Sequence, residues 1–378
     1  MNIEVESAEH FIALTNEHDI IKSAAFQAVD LSQYEELIFE KDFEDCLFLG
    51  CKMSVEAEIK LIETGNLFFP KIKLPFQVYR NKLYRHTELY NDFLYSNPVT
   101  YEQTDDYLIY KYYESRGKAE PTSIKDSLAQ RLHDHSITDS LYDYLATWDS
   151  YRIVAIMGGH SLRRDATDYR DIVFISKALA EKGHLMVSGG GPGGMEATHL
   201  GAWMAHRDEQ EIDDAISILA KAPLYSDKLW LSTAFEVMEK YPLKTDIESV
   251  GIPTWFYGHE PPTPFATHIA KYFANSVREE GLLAIAKGGI IFAPGSAGTI
   301  QEVFQEAAQN HYVTFGNISP MVFLNKKYWK EDKPVYPLLK ELAKGYKYGE
   351  LLSISDDVSD IVEAICAFTE QKSLMVME

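Results

Sequence analysis

From Tyr151 onward the chain alternates short apolar runs with amphipathic stretches, the pattern of a parallel sheet flanked by helices. Ile153–Met157, Leu185–Ser188, Ala215–Leu219, Thr254–Tyr257, Ile290–Ala293, Met321–Leu324 and Leu351–Ile354 read as strands. Tyr169–Lys182, Met195–His206, Thr267–Ala286, Thr299–Asn310, Val335–Ala343 and Val358–Thr369 read as helices. An open α/β sheet binds ligands beyond the carboxyl ends of its strands, so chemistry is expected in the turns that follow them.

Before Ser150 the periodicity is irregular, which predicts two domains: an α+β region over residues 1–150 and an α/β domain over 151–378. Tyr79, Tyr84, Tyr90, Tyr95, Tyr101, Tyr107, Tyr110, Tyr112 and Tyr113 crowd one stretch of the first region. A base-stacking platform would interleave basic residues with them, and these are scarce. Packing within a domain, or at a subunit interface, is the better reading. Cys46-Leu-Phe-Leu-Gly-Cys51 reads as a short buried strand, and Thr122–Ala146 as a helix joining the two halves.

Charge narrows the partners. The net charge of −21 disfavours binding to a nucleic-acid polymer, which needs a basic surface. Residues 1–150 carry 27 acidic against 14 basic groups, and the remainder 30 against 22. An anionic ligand therefore needs local donors. Three scattered cysteines and no CxxC give neither a disulfide framework nor a metal knuckle. With no apolar run near 18 residues and no secretory leader, a cytoplasmic protein without membrane contact is expected.

Three turns carry candidate chemistry. Ile153–Met157 runs into Gly158, Gly159, His160 and Ser161, where the glycines let backbone approach a ligand and Ser161 could donate to it. His160 is read as a wall or packing residue, and Arg163 and Arg164 as solvated arginines within reach of a phosphate. Ser188 then leads into Gly189, Gly190, Gly191, Pro192, Gly193, Gly194, Met195 and Glu196 at a helix start, where free N–H groups favour an anion. This is neither GxGxxG nor GxxxxGK[ST]. Without a following lysine for β- and γ-phosphates, a monophosphate is the better guess. The third turn is Pro294-Gly295-Ser296-Ala297-Gly298-Thr299, with Glu302 three residues on. Thr299 suits an N-cap, so Glu302 is either a capping-box partner or a carboxylate facing the ligand.

The glycine run 189–195 and the run 294–302 together resemble the LOG ("Lonely guy") phosphoribohydrolases, long mislabelled lysine decarboxylases, whose signatures are GGGxxGLM and PGGxGTxxE. The resemblance covers roughly 151–369. It is closer to the larger bacterial nucleoside-monophosphate nucleosidases than to the short cytokinin-activating enzymes. It implies a Rossmann-like α/β fold, usually dimeric, that hydrolyses a nucleoside 5′-monophosphate to free base and ribose 5-phosphate. By the same resemblance Glu302 matches the catalytic glutamate, Gly298 and Thr299 the phosphate holders, and Arg278 the catalytic arginine of the preceding helix. Arg278 stands one residue farther from Pro294 than is usual. Ser296 replaces the second glycine of PGG, Gly194 the leucine of GLM, and Glu196 a small residue.

The expected reading is a nucleotide N-glycosidase, a homodimer or higher homo-oligomer, with no metal and no organic cofactor. Glycosidic cleavage passes through an oxocarbenium-like state that a carboxylate stabilises while it positions water. Nothing marks a pyridoxal phosphate lysine. His259 and Glu260 follow a strand and could line the pocket, without a second ligand cluster to make a metal site. The alternative is a non-catalytic Rossmann-like protein that binds or carries a nucleotide or phosphorylated cofactor. Such a carrier needs the glycines but not the carboxylate.

Overall fold

The computed structural model describes residues 3–244, 246–258 and 260–376. Its contacts divide the chain into one unit of Met1–Leu83 with Glu114–Tyr142, and another of Tyr84–Tyr113 with Asp143–Glu378. The change in sequence character at Ser150 thus falls inside the second unit, and the segment 84–113 belongs with the α/β part.

The first unit is built on short parallel strands: β1 (Ile3–Val5), β2 (Ile20–Lys22), β3 (Ala24–Gln27), β4 (Asp42–Glu44), β5 (Leu47–Leu49) and β6 (Leu67–Phe69). Four form a sheet in the order β1-β3-β5-β6, and β2 pairs with β4. Paired strand positions recur 20 to 22 residues apart, and the ion pairs Asp19–Lys41 and Asp30–Lys52 keep a 22-residue spacing. Phe26 and Phe48, also so related, stack at 4.5 Å in the core. That recurrence is an internal repeat of solenoid type. Cys46 and Cys51 flank β5 as buried free thiols, and burial pushes Cys51 up to about 11.

The second unit is the expected Rossmann-like α/β fold. Its strands are β7 (Ile153–Met157), β8 (Leu185–Ser188), β9 (Ser249–Gly251), β10 (His268–Ile269), β11 (Gly289–Phe292), β12 (Met321–Leu324) and β13 (Leu352–Ser355). They lie in the order β10-β9-β8-β7-β11-β12-β13, every pair parallel. The order reverses between β7 and β11, and that switch point opens a crevice at the strands' carboxyl ends. β7 and β11 are buried along their whole lengths, so they read as continuous apolar runs. Helices Thr167–Glu181, Gly194–Trp203 and Val358–Val376 cover one apolar core with them.

Three expected elements differ. Residues 215–219 are not a strand but the end of the helix Glu209–Leu219. Its buried residues Ile212, Ala215, Ile218 and Leu219 keep helical spacing, and an Asp208–Glu211 capping box fixes its start. Residues 254–257 give one bridge at Thr254 and a 3₁₀ turn, Trp255–Tyr257. Ser249–Gly251 is the strand there, too short for periodicity to reveal. The helix expected over 267–286 starts only at Asn275, after the edge strand β10. Helix Ile124–Leu145 lies where a joining helix is expected. Among the described residues no helix is long and apolar enough to cross a membrane.

Part of the tyrosine-rich stretch packs inward. Tyr84, Tyr90, Tyr110 and Tyr113 are buried, with Tyr90 edge-on to Phe235 and Tyr113 tilted on Phe273. These four therefore do not supply the exposed aromatic surface from which self-association would be argued.

Candidate functional site

The three glycine turns meet. Gly159 N–H donates to the Pro294 carbonyl (3.1 Å), and Gly194 N–H to the Gly159 carbonyl (3.1 Å). Gly193 has φ +69°, and a Cβ there would collide with the Gly159 carbonyl, so this crossing demands glycine. Hydrogen bonds from the π-helical turn Tyr328–Asp332 brace the far side. Tyr328 Oη donates to the Gly295 carbonyl, and Trp329 Nε1 to the Phe292 carbonyl (3.2 Å).

The turns form a cleft of about 280 Å³, near the lower end for small-ligand sites. Gly158, Gly159, Gly189, Gly191, Met195, Arg278, Ser296, Gly298, Thr299 and Glu302 line it. Gly190, Gly193, Gly194, Pro294, Gly295 and Ala297 are not in its walls and serve the turns' backbone. Ser161 is exposed and lies outside the cleft.

Glu196 and Arg164 depart most from expectation. Both are fully buried and clasp each other through two hydrogen bonds, Nε to Oε2 at 2.7 Å and Nη2 to Oε1 at 2.5 Å. Tyr169 Oη adds a third bond to Glu196 (3.0 Å), and Arg164 stacks on Trp230. Neither side chain lines the cleft. Glu196 turns inward because the third position of the Gly194–Trp203 helix points at the core here. Arg163 is half exposed and pairs with Asp165.

Glu302 behaves oppositely. The helix Ala297–Tyr312 begins earlier than its sequence suggests, with Ser296 at the N-cap and no side-chain cap bond. Thr299 is therefore the third helical residue and Glu302 the sixth, so neither acts as a cap. The capping-box role for Glu302 is excluded by geometry. Its side chain enters the cleft, and no hydrogen bond from a described residue reaches its carboxyl. Desolvation raises it to about 7, against the pull of the Arg278 charge and with the help of Glu279. Arg278 comes from the Asn275–Ile285 helix, is nearly buried, and lies against Gly189: a Cβ there would sit 2.9 Å from Nη1. Asn275 Oδ1 accepts from its Nε (3.1 Å), and Glu279 stands 3.8 Å away.

Four cleft residues escape the sequence reading. Pro253, Thr254 and Tyr257 follow the short strand β9, and Glu279 adjoins Arg278. The acidic pair after Arg278 was the one signal available. His160 stands in the wall, 3.8 Å from Glu260, which also lines the cleft. His259 lies outside the described residues.

No protein-family model matches the chain. No curated protein matches it either. Solved structures that resemble parts of the chain include the molybdenum cofactor binding protein of the phototrophic bacterium Rippkaea orientalis. It is 13% identical over 57% of this chain and 95% of that one, with TM-score 0.34. Another is the molybdenum cofactor carrier protein of Chlamydomonas reinhardtii, 15% identical over 57% of this chain and 96% of that one, with TM-score 0.35. At these identities and TM-scores the likeness decides neither fold, ligand nor activity.

Proposed function

We propose that the cleft binds a nucleoside 5′-monophosphate and hydrolyses its N-glycosidic bond, with Glu302 and Arg278 as the catalytic groups. One observation carries the reading. A carboxyl and a guanidinium share the wall of a glycine-built cleft, and the carboxyl has no structural duty there. The Ser296–Thr299 turn offers free N–H groups at a helix start for the phosphate. Water attacks C1′ while Glu302 takes its proton and faces the developing ribosyl cation. The C–N bond electrons leave with the base, which gains a proton; Arg278 either holds the phosphate or assists that departure. A carboxyl held near 7 is matched to proton transfer at neutral pH.

A second reading, carriage of a nucleotide or phosphorylated cofactor without turnover, uses the same glycine turns. The engagement of Arg278 by Asn275 and Glu279 favours it. Incubation with a panel of nucleoside 5′-monophosphates, followed by chromatography for free base and ribose 5-phosphate, tests the two. Release of base supports hydrolysis. Tight binding with no release over hours supports carriage.

A further inference from the structure

Behind the glycine loop runs a chain of buried polar groups that the cleft does not expose. Ser188 ends β8, Ser249 begins β9, and His199 lies on the Gly194–Trp203 helix; all three are fully buried. Ser188 Oγ donates to the Met195 carbonyl (3.2 Å) and accepts from Gly190 N–H (3.1 Å). One hydroxyl thus ties both ends of the 190–195 loop. The same oxygen lies 2.8 Å from His199 Nε2, and His199 Nδ1 lies 2.9 Å from Ser249 Oγ.

With the Ser188–Met195 bond made, counting protons fixes every direction in the chain. A carbonyl only accepts, so the single Ser188 proton is committed to Met195. His199 Nε2 must then carry a hydrogen and donate it to Ser188. Nδ1 is left as an acceptor, and the Ser249 hydroxyl donates to it. Ser188 ends with one bond donated and two accepted, its full capacity. The chain requires a neutral imidazole. Burial supplies one, lowering His199 to about 3.

We infer that His199 is a positioning residue, holding the 189–195 loop in its ligand-binding shape through Ser188 without touching the ligand. The loop needs such a brace. Gly190 and Gly193 both sit at positive φ, and glycines contribute no side chains to fix them. Gly189, Gly191 and Met195 line the cleft, and Arg278 rests against Gly189, so a loose loop would disturb both the anion donors and the arginine. This inference rests on the cleft being the nucleotide site.

The test compares wild type, His199→Leu and His199→Gln, whose amide can donate where Nε2 does. With adenosine 5′-monophosphate as probe, the Leu variant should bind about tenfold more weakly, as expected when a buried hydroxyl loses its donor. The Gln variant should recover most of that loss. Amide exchange at Gly190 should quicken in Leu and return towards wild type in Gln. Nitrogen NMR of the wild-type imidazole should show a protonated Nε2 and a bare Nδ1. Unchanged affinity and unchanged Gly190 exchange in the Leu variant would overturn the inference, as would the opposite tautomer. If the Leu variant fails to fold, Ser188→Ala replaces it, with the same expected weakening and exchange. If wild type binds no nucleotide, the reading of the cleft falls. Gly190 exchange and the tautomer still decide whether the brace exists.

Discussion

Two helices of the α/β unit start on glycine turns and carry a glutamate near the start, yet the two carboxylates meet opposite fates. Glu196, third in Gly194–Trp203, is sealed in the core by Arg164 and Tyr169. Glu302, sixth in Ala297–Tyr312, faces the cleft with no hydrogen bond from a described residue and is held near 7. A satisfied buried charge is a structural element whose removal costs stability. An unsatisfied one held at the wall of a cleft is a strained group, and strain of this kind gathers where chemistry is done.

Removing the core carboxylate should give the largest effect. Glu196→Ala strands the Arg164 charge in the interior, and breaking such a pair costs about 3–5 kcal/mol. Chemical denaturation should show that loss, or the variant should fail to accumulate. A change within 1 kcal/mol would erase the contrast.

The cleft carboxylate should respond in the other currency. Glu302→Gln should lower turnover by about 10²-fold or more, as for loss of one electrostatic stabiliser, with nucleotide affinity little changed. Near-normal turnover would falsify the catalytic assignment. In wild type, kcat/KM should rise with pH around 7 as Glu302 ionises. A flat profile from pH 5 to 9 would count against a carboxylate that must be ionised.

A smaller effect sharpens the anion side. Thr299→Ala should weaken monophosphate binding by about 1 kcal/mol, the net worth of one hydrogen bond. Arg163→Ala, at an exposed pair with Asp165, should leave it unchanged. Equal losses measured by calorimetry would move the phosphate away from the helix start.

The subtlest expectation concerns stability and pH. Glu302 and the buried Glu306 are both raised by desolvation from 4.5 to about 7. Between those values the folded chain keeps protons that the unfolded chain has shed, so stability falls as pH rises through that window. Glu302→Gln removes its share. The melting temperature of that variant should therefore drop less than wild type between pH 5 and 8, and parallel curves would contradict the raised value.

Much of this was legible in the chain. β7, β8 and β12 match their expected bounds residue for residue, because fully buried strands read as unbroken apolar runs. All three glycine turns fall after strands, as expected, and they meet at the switch point between β7 and β11. The short strand β9 did not announce itself, since three residues carry no period. The walls it supplies, Pro253 to Tyr257, were lost with it. The recurrence in the first unit, with paired strand positions 20 to 22 residues apart, rests on three- and four-residue strands too short to show a period.

The sequence alone determined β7, β8 and β12, the glycine turns and the residue types those turns carry, because strand burial and glycine backbone freedom are local properties. Tertiary structure alone decided what each charged group became. Whether a glutamate is neutralised depends on which arginine the fold delivers to it. Arg164, 32 residues before Glu196, reaches it in the core, while Glu302 has the Arg278 charge nearby, opposed by that of Glu279. Desolvation and pairing are set by distances between segments remote in sequence, and no local pattern encodes them.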